Sequence, residues 1–278
     1  MAAAGETTHG ILRPDVGRAV FELIRRPPSG DLAGHVERHW YVRWDLHGAP
    51  SFTQEILPHP CVNLVAEPGL IAVHGIPLGR SPHRLDGAGI AIGTKFRPGG
   101  FGGFLDRPAS ELNGRAVALG ELFGAAGERL ERRLAGLDGD VDEHIEAVEA
   151  FLRERLPAPD PRHELVRAVV DGMLVAGPGT TVAHLAERHA VSARTLQRVF
   201  AQFVGVGPKW VLTRYRMHEA AERIAAGEAD DGASLALDLG YFDQSHFIRD
   251  FTAQIGMPPS VYERACAAAA GRPVPAPV

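Results

Sequence analysis

Gly240-Tyr241-Phe242-Asp243-Gln244-Ser245-His246-Phe247-Ile248-Arg249-Asp250-Phe251 is the stretch that decides the fold. A glycine and an aromatic make a tight turn. Asp243 then stands where a helix N-cap belongs, its carboxylate free to accept from exposed backbone N–H groups. Phe247 and Phe251 repeat at i, i+4 and predict one buried face. Gln244, Ser245 and Arg249 fall on another face, where hydrogen-bond donors can meet a partner. Upstream, Ala233 to Leu239 reads as a short helix. Helix, glycine turn and capped second helix make a helix-turn-helix pattern.

The same arrangement occurs about fifty residues earlier. Val182 to His189 reads as a helix with Val182, Leu185 and Ala186 inward, Ala190-Val191 as its turn and Ser192 as the next N-cap. Ala193 to Phe200 then buries Leu196, Val199 and Phe200 and exposes Arg194, Gln197 and Arg198. With two such units and the Gly-Tyr-x-Asp-Gln-Ser-His-Phe motif, residues from near Leu165 to Tyr262 resemble the DNA-binding domain of AraC/XylS-family transcription regulators. The resemblance implies sequence-specific binding to promoter or operator double-stranded DNA, through Arg194, Gln197 and Arg198 in the first unit and Gln244, Ser245 and Arg249 in the second. His246 is placed to reach a phosphate. The chemistry agrees, because arginine pairs with guanine O6 and N7 and a glutamine amide with adenine N6 and N7. For Arg198 and Arg249 an internal salt bridge, with Glu187 or Asp250, is the alternative.

Between the units, Pro208 starts a helix that Gly227 stops; proline suits the first turn because the N–H groups there are unpaired anyway. Val211, Leu212, Tyr215, Ala220 and Ile224 face inward and tie both units into one body. About 18 residues at 1.5 Å each span roughly 27 Å, which lets two recognition helices enter successive major grooves. Arg216 reads as a brace or a phosphate contact.

A net charge of −5 speaks against nucleic acid until it is resolved locally. From Thr181 to Arg216 Arg188, Arg194, Arg198, Lys209, Arg214 and Arg216 oppose only Glu187. From Met217 to Ala267 Arg223, Arg249 and Arg264 face nine carboxylates. The first unit can neutralise phosphates and the second barely can. Asp230 and Asp231, in the turn before the second unit, are expected to point away from DNA.

The expected class is α+β: an N-terminal small β-barrel, cupin-like, with following helices, and a C-terminal all-α double helix-turn-helix domain. Residues 1–14 carry no apolar h-region and read as a disordered start rather than a signal peptide. Residues 15–105 read as a β-rich sensor-like domain. Trp40, Val42 and Trp44 alternate on one strand face, and Ser51–Ile56, Cys61–Val65, Leu70–Val73 and Ile90–Lys95 are further strands between Gly/Pro turns. Ile56-Leu57-Pro58-x-x-Cys61-Val62-x-Leu64-Val65 and Phe96-Arg97-Pro98-Gly99-Gly100 resemble an uncharacterised domain that precedes the DNA-binding part in some AraC-type proteins. The resemblance implies a cupin-like barrel and names no ligand. Trp40, Val42 and Trp44 are the candidate lining of a pocket for a small-molecule effector, with packed core as the commoner outcome.

Residues 106–156 read as helical. Leu122-Phe123, Leu130, Leu134 and Leu137 mark faces, and Val141, Ile145, Val148 and Leu152 form a stripe. In the AraC family such a segment often supports a homodimer; packing on its own barrel is the equal alternative. A Pro-rich linker over 157–162, the DNA-binding domain over 163–266 and a disordered tail over 267–278 complete the chain.

No cofactor or metal site is expected. Arg97-Pro98-Gly99-Gly100 lacks the Lys-Ser/Thr of a phosphate loop, and His59, Cys61, His74 and His83 lack the His-x-His pattern of metal cupins. Cys61 and Cys266 read as free thiols of a reducing cytoplasm. No apolar run reaches a membrane span, so no membrane partner is expected. The sequence reads as a non-enzyme. A cupin-like enzyme with a DNA-binding appendage is the alternative, and a DNA-alkylation repair regulator would need an activated cysteine cluster that is missing.

Overall fold

The computed structural model describes residues 10, 12, 20–136, 140–175, 177, 179–228 and 232–271. Leu137, Asp230 and Asp231 lie outside the described residues, as do most of the start expected over 1–14 and residues 272–278 of the expected tail.

The N-terminal half is built from β1 (Phe21–Arg26), β2 (Val36–Asp45), β3 (Phe52–Ile56), β4 (Asn63–Glu67), β5 (Leu70–His74), β6 (Ser81–Leu85), β7 (Ala88–Phe96) and β8 (Ala116–Ala118). Their ladders form an antiparallel six-stranded sheet in the order β1-β2-β7-β4-β5-β8 and a separate β3–β6 pair. Side chains alternate between the faces of a sheet, and the register uses this to sort two rows. His39, Thr94, Leu64, Val73 and Val117 lie in one row. Trp40, Gly93, Val65, Ala72 and Ala118 lie in the next, on the opposite face.

The first row meets helices. After α1 (Leu119–Phe123) come α2 (Ala125–Ala135) and α3 (Val141–Arg153). Leu130 and Leu134 of α2 and Val148, Phe151 and Leu152 of α3 share one core with Leu64, Val73, Phe96 and Val117. Of the α3 stripe, Val148 and Leu152 pack on this sheet, while Val141 and Ile145 are half-buried. A polar cluster fixes the contact. Glu149 accepts from the Ser29 amide at 2.8 Å, the Ser29 hydroxyl at 2.7 Å and Arg153 at 2.9 Å, and lies 3.2 Å from His39 Nε2. Burial alone would raise the Glu149 pKa, but the serine and histidine bonds hold it below the usual carboxylate range.

In the second row the tryptophans pack across glycines of the neighbouring strand. Trp40 and Trp44 lie across the space left by Gly93 and Gly89, where any Cβ would collide with the indoles. Trp40 Nε1 donates to Asn63 Oδ1 at 3.4 Å, and Trp44 Nε1 to the Asp86 carbonyl at 3.1 Å. Trp40, Val42 and Trp44 are half-buried packing groups.

Asp160 caps α4 (Pro161–Leu174), accepting from the Arg162 amide at 2.8 Å, so the expected linker passes straight into helix. Helices α5 (Val182–Arg188), α6 (Ala193–Phe203), α7 (Pro208–Ala226), α8 (Gly232–Asp238), α9 (Gln244–Ile255) and α10 (Pro259–Ala269) follow. Helix α7 spans two cores. Val211 and Leu212 join Val169, Leu185, Leu196 and Phe200. Met217, Ala220, Ala221 and Ile224 join Leu235, Phe247, Phe251 and Tyr262.

The halves are in contact. Ile76 enters the first of these cores, and Leu12 and Leu57 enter the second. Asn113 Nδ2 donates to the Gly205 carbonyl at 2.7 Å. His35 stacks on His163 with centroids 4.9 Å apart, and His59 on His218 at 4.1 Å.

Candidate nucleic-acid interface

Both helix-turn-helix units close their turns alike. A residue in left-handed backbone ends the first helix, Ala190 (φ 52°) in one and Gly240 (φ 76°) in the other. The next amide reaches back across the turn, Val191 N to the Ala186 carbonyl at 3.0 Å and Tyr241 N to the Ala236 carbonyl at 2.9 Å. These bonds satisfy carbonyls that a helix end would leave bare.

Side chains then cap the second helices. Ser192 Oγ accepts from the Thr195 amide at 3.0 Å, and Asp243 Oδ1 from the His246 amide at 2.8 Å. The cap sets the rotation of each helix, and so which residues face out. Leu196, Val199 and Phe200 are buried on α6 while Arg194, Gln197 and Arg198 are exposed. Phe247 and Phe251 are buried on α9 while Gln244, Ser245, His246 and Arg249 are exposed. Arg194, Arg198 and Arg249 form no ion pair among the described residues, so the internal salt bridges weighed for Arg198 and Arg249 are not made. Gln244 leans back towards Gly232 at the start of α8, its amide 2.6 Å from where a Cβ would stand.

The charges are spent differently from their sequence count. Arg214 is only 2% exposed, its guanidinium 4.3 Å above the Trp210 ring, and burial pushes its pKa down to about 10. It cannot meet a phosphate from there. A signal was present in the sequence, since Arg214 follows Val211 by three and precedes Met217 by three, on the inward stripe of α7. Arg216 acts as a brace, Nη2 donating to the Thr180 carbonyl at 2.8 Å. In the second unit Arg223 is held by Asp238 at 2.8 Å, and Asp250 accepts from the Tyr241 hydroxyl at 3.3 Å. Burial, then Asp250, pushes the Tyr241 hydroxyl well above the usual tyrosine range.

A cavity of about 780 Å³ lies where the sheet meets α4 and α7. The sheet side brings Glu37, Arg38, Lys95 and Arg97, and the helices bring Arg167, Asp171, Tyr215 and Glu219 beside Val170, Met173 and Leu212. Lys95 is buried and donates to Glu37 at 2.9 Å. Trp40, Val42 and Trp44 do not line it. Cys61 does, but burial pushes its thiol up to about 11, which makes it a poor nucleophile. Neither Cys61 nor Cys266 is in a disulfide, and both are buried.

Among the described residues no group of three or more His, Cys, Asp or Glu is arranged to hold a metal, and no helix is long and apolar enough to cross a membrane.

Residues 24–118 match a family described as a domain of unknown function (DUF6597), and residues 185–265 a helix-turn-helix domain family. An AraC-like transcription regulator of Streptomyces lividans is 42% identical over 84 residues, 30% of this chain and 27% of that protein. One of Streptomyces antibioticus is 38% identical over 84 residues with the same coverage. The match thus spans about a quarter of the length of these relatives. Crystal structures of ToxT from Vibrio cholerae align over 88% of this chain and 98% of that one at 9% identity and a TM-score of 0.35. A form with bound unsaturated fatty acid aligns over 94% and 97% at 9% identity and a TM-score of 0.33. At such scores the fold rests on the elements described above. With two capped turns in tandem, a shared linking helix and a helix-turn-helix family match over residues 185–265, the C-terminal region of this chain is a helix-turn-helix domain, and the chain is similar over 84 residues to AraC-like transcription regulators.

Proposed function

We propose that this chain is a sequence-specific DNA-binding transcription regulator of the cytoplasm. Its two units read promoter DNA and its N-terminal domain receives a small-molecule effector. One observation carries the proposal: two side-chain-capped helices, held on one α7, present to solvent arginines that make no ion pair among the described residues, with neighbouring amide and hydroxyl groups. Such a surface has the donors that base edges need. The first unit supplies most of the attraction to phosphate, now with one cation fewer because Arg214 is buried.

The test is a titration of the full chain against duplexes selected by it from a random pool, repeated over a range of salt. A preference for the selected duplex, with affinity falling as salt rises, is the expected result. Failure to enrich any sequence would refute the reading.

The cavity between the halves is the better candidate for the effector than the tryptophan face, because it is open space with apolar and charged walls. A ligand there touches both halves at once, and so biases how they dock.

A further inference from the structure

The two turns differ by one residue. In the first unit Ala190, in left-handed backbone, is followed by Val191 and then by the cap Ser192. In the second, Gly240 is followed by Tyr241, then Phe242, then the cap Asp243. The returning amides pair Val191 with Tyr241, so Phe242 is an insertion without a counterpart.

Phe242 also does nothing for the fold. The residue before an N-cap often packs on the fourth residue of the helix, which here is Phe247. Yet Phe247 is fully buried, and the ring beside it is Tyr241, with centroids 5.6 Å apart. Tyr241 has taken the packing role and Phe242 is 92% exposed. A phenyl ring left in water forgoes burial worth roughly 1.5–3 kcal/mol, at the very end of α9 from which Gln244 and Ser245 project.

The surroundings narrow what the ring can meet. Arg223 is tied to Asp238, and the nearby Asp243 and Asp250 would repel a phosphate. Arg249 is the one Lys or Arg of α9, set against these carboxylates, so uncharged contact gains weight in the second unit. In the major groove the apolar group that a phenyl ring can touch is the thymine 5-methyl.

We propose that Phe242 is a specificity-determining residue that packs on the 5-methyl group of a thymine in the DNA facing α9. The proposal rests on the DNA-binding reading above. The extra residue in the turn pushes the ring past the helix end, towards the groove, where the first unit offers only the half-buried Val191.

The test uses the full chain and its best duplex selected from a random pool. Each thymine of the protected region is replaced in turn by deoxyuridine, which removes only the methyl. Removing one methyl should weaken wild type about fourfold, equivalent to about 0.8 kcal/mol. Phe242→Ala should bind the thymine and deoxyuridine duplexes equally, at the weaker level, with an unchanged melting temperature because the ring touches no core. Phe242→Leu should keep part of the preference. Wild type that binds tightly yet is indifferent to every methyl overturns the proposal and leaves the DNA-binding reading standing. So does Phe242→Ala that keeps the full methyl preference, or that binds the thymine duplex as tightly as wild type. A chain that enriches no duplex removes both.

Discussion

Exchanging the residues at the two left-handed turns should give effects of opposite sign. Gly240 sits at φ 76°, and a Cβ there would lie 2.7 Å from the Gly179 amide nitrogen and 3.3 Å from Arg216 Nη2. Left-handed backbone costs a residue with a Cβ about 1–2 kcal/mol. Pushing backbone aside in a packed site costs about 1–3 kcal/mol more, and the stiffer unfolded chain returns about 0.4–1 kcal/mol. Gly240→Ala should therefore destabilise by roughly 1–5 kcal/mol. Ala190 already bears the left-handed cost at φ 52°, on an exposed turn. Ala190→Gly removes it and adds only unfolded-state freedom, for a net gain of roughly 0–1.5 kcal/mol. Thermal unfolding reads both, at about 2–4 °C per kcal/mol for a chain approaching this size. The Arg216–Thr180 brace lies against Gly240, so Gly240→Ala should also weaken DNA binding by more than Ala190→Gly does. Gly240→Ala melting at or above wild type, or Ala190→Gly losing more than about 1 kcal/mol, would refute the reasoning.

Other perturbations separate the parts. Arg194→Ala and Arg198→Ala should each cost about 1–3 kcal/mol of specific DNA binding, and Gln244→Ala or Ser245→Ala less, because carboxylates surround the second unit; equal losses in operator titrations would show the ranking to be wrong. Burial holds the imidazoles of His39, His74, His144 and His163 below the usual histidine range. The unfolded chain takes up protons near pH 6.5 that the fold resists, so stability should fall as pH drops from about 6.5 and level off below the depressed folded values. A denaturant midpoint unchanged between pH 7.5 and 5.5 would contradict this. Gly102→Ala would set a Cβ 2.5 Å from Phe203 Cα at the contact between the halves. It should cost about 1–3 kcal/mol and separate the calorimetric transition into two, whereas an unchanged single transition would mean the halves are not coupled there.

Much of the C-terminal half could be read from the residues alone. Caps, left-handed turns and i, i+4 apolar pairs are local, and Ser192, Asp243, Leu196, Phe247 and Phe251 each act within about one helical turn of their signal. The outward faces of α6 and α9 follow, since burying one side of a short amphipathic helix leaves only the other. Strand alternation likewise placed β2, β3, β4, β5 and β7. It named no strand at β1, at β6, whose Ser-Pro-His-Arg-Leu is polar, or at β8, whose three residues carry no period. Tertiary structure decided what depends on partners distant in the chain. Gly89 and Gly93 made the room across which the Trp44 and Trp40 indoles pack. Val148 and Leu152 of α3 packed on their own sheet because Phe96, Val73 and Val117 stood ready to meet them. Arg214 became a buried cation over Trp210, and Phe242 was left in water once Tyr241 had taken its place against Phe247. Charge and hydropathy are properties of a residue, but availability depends on what else has reached the same space.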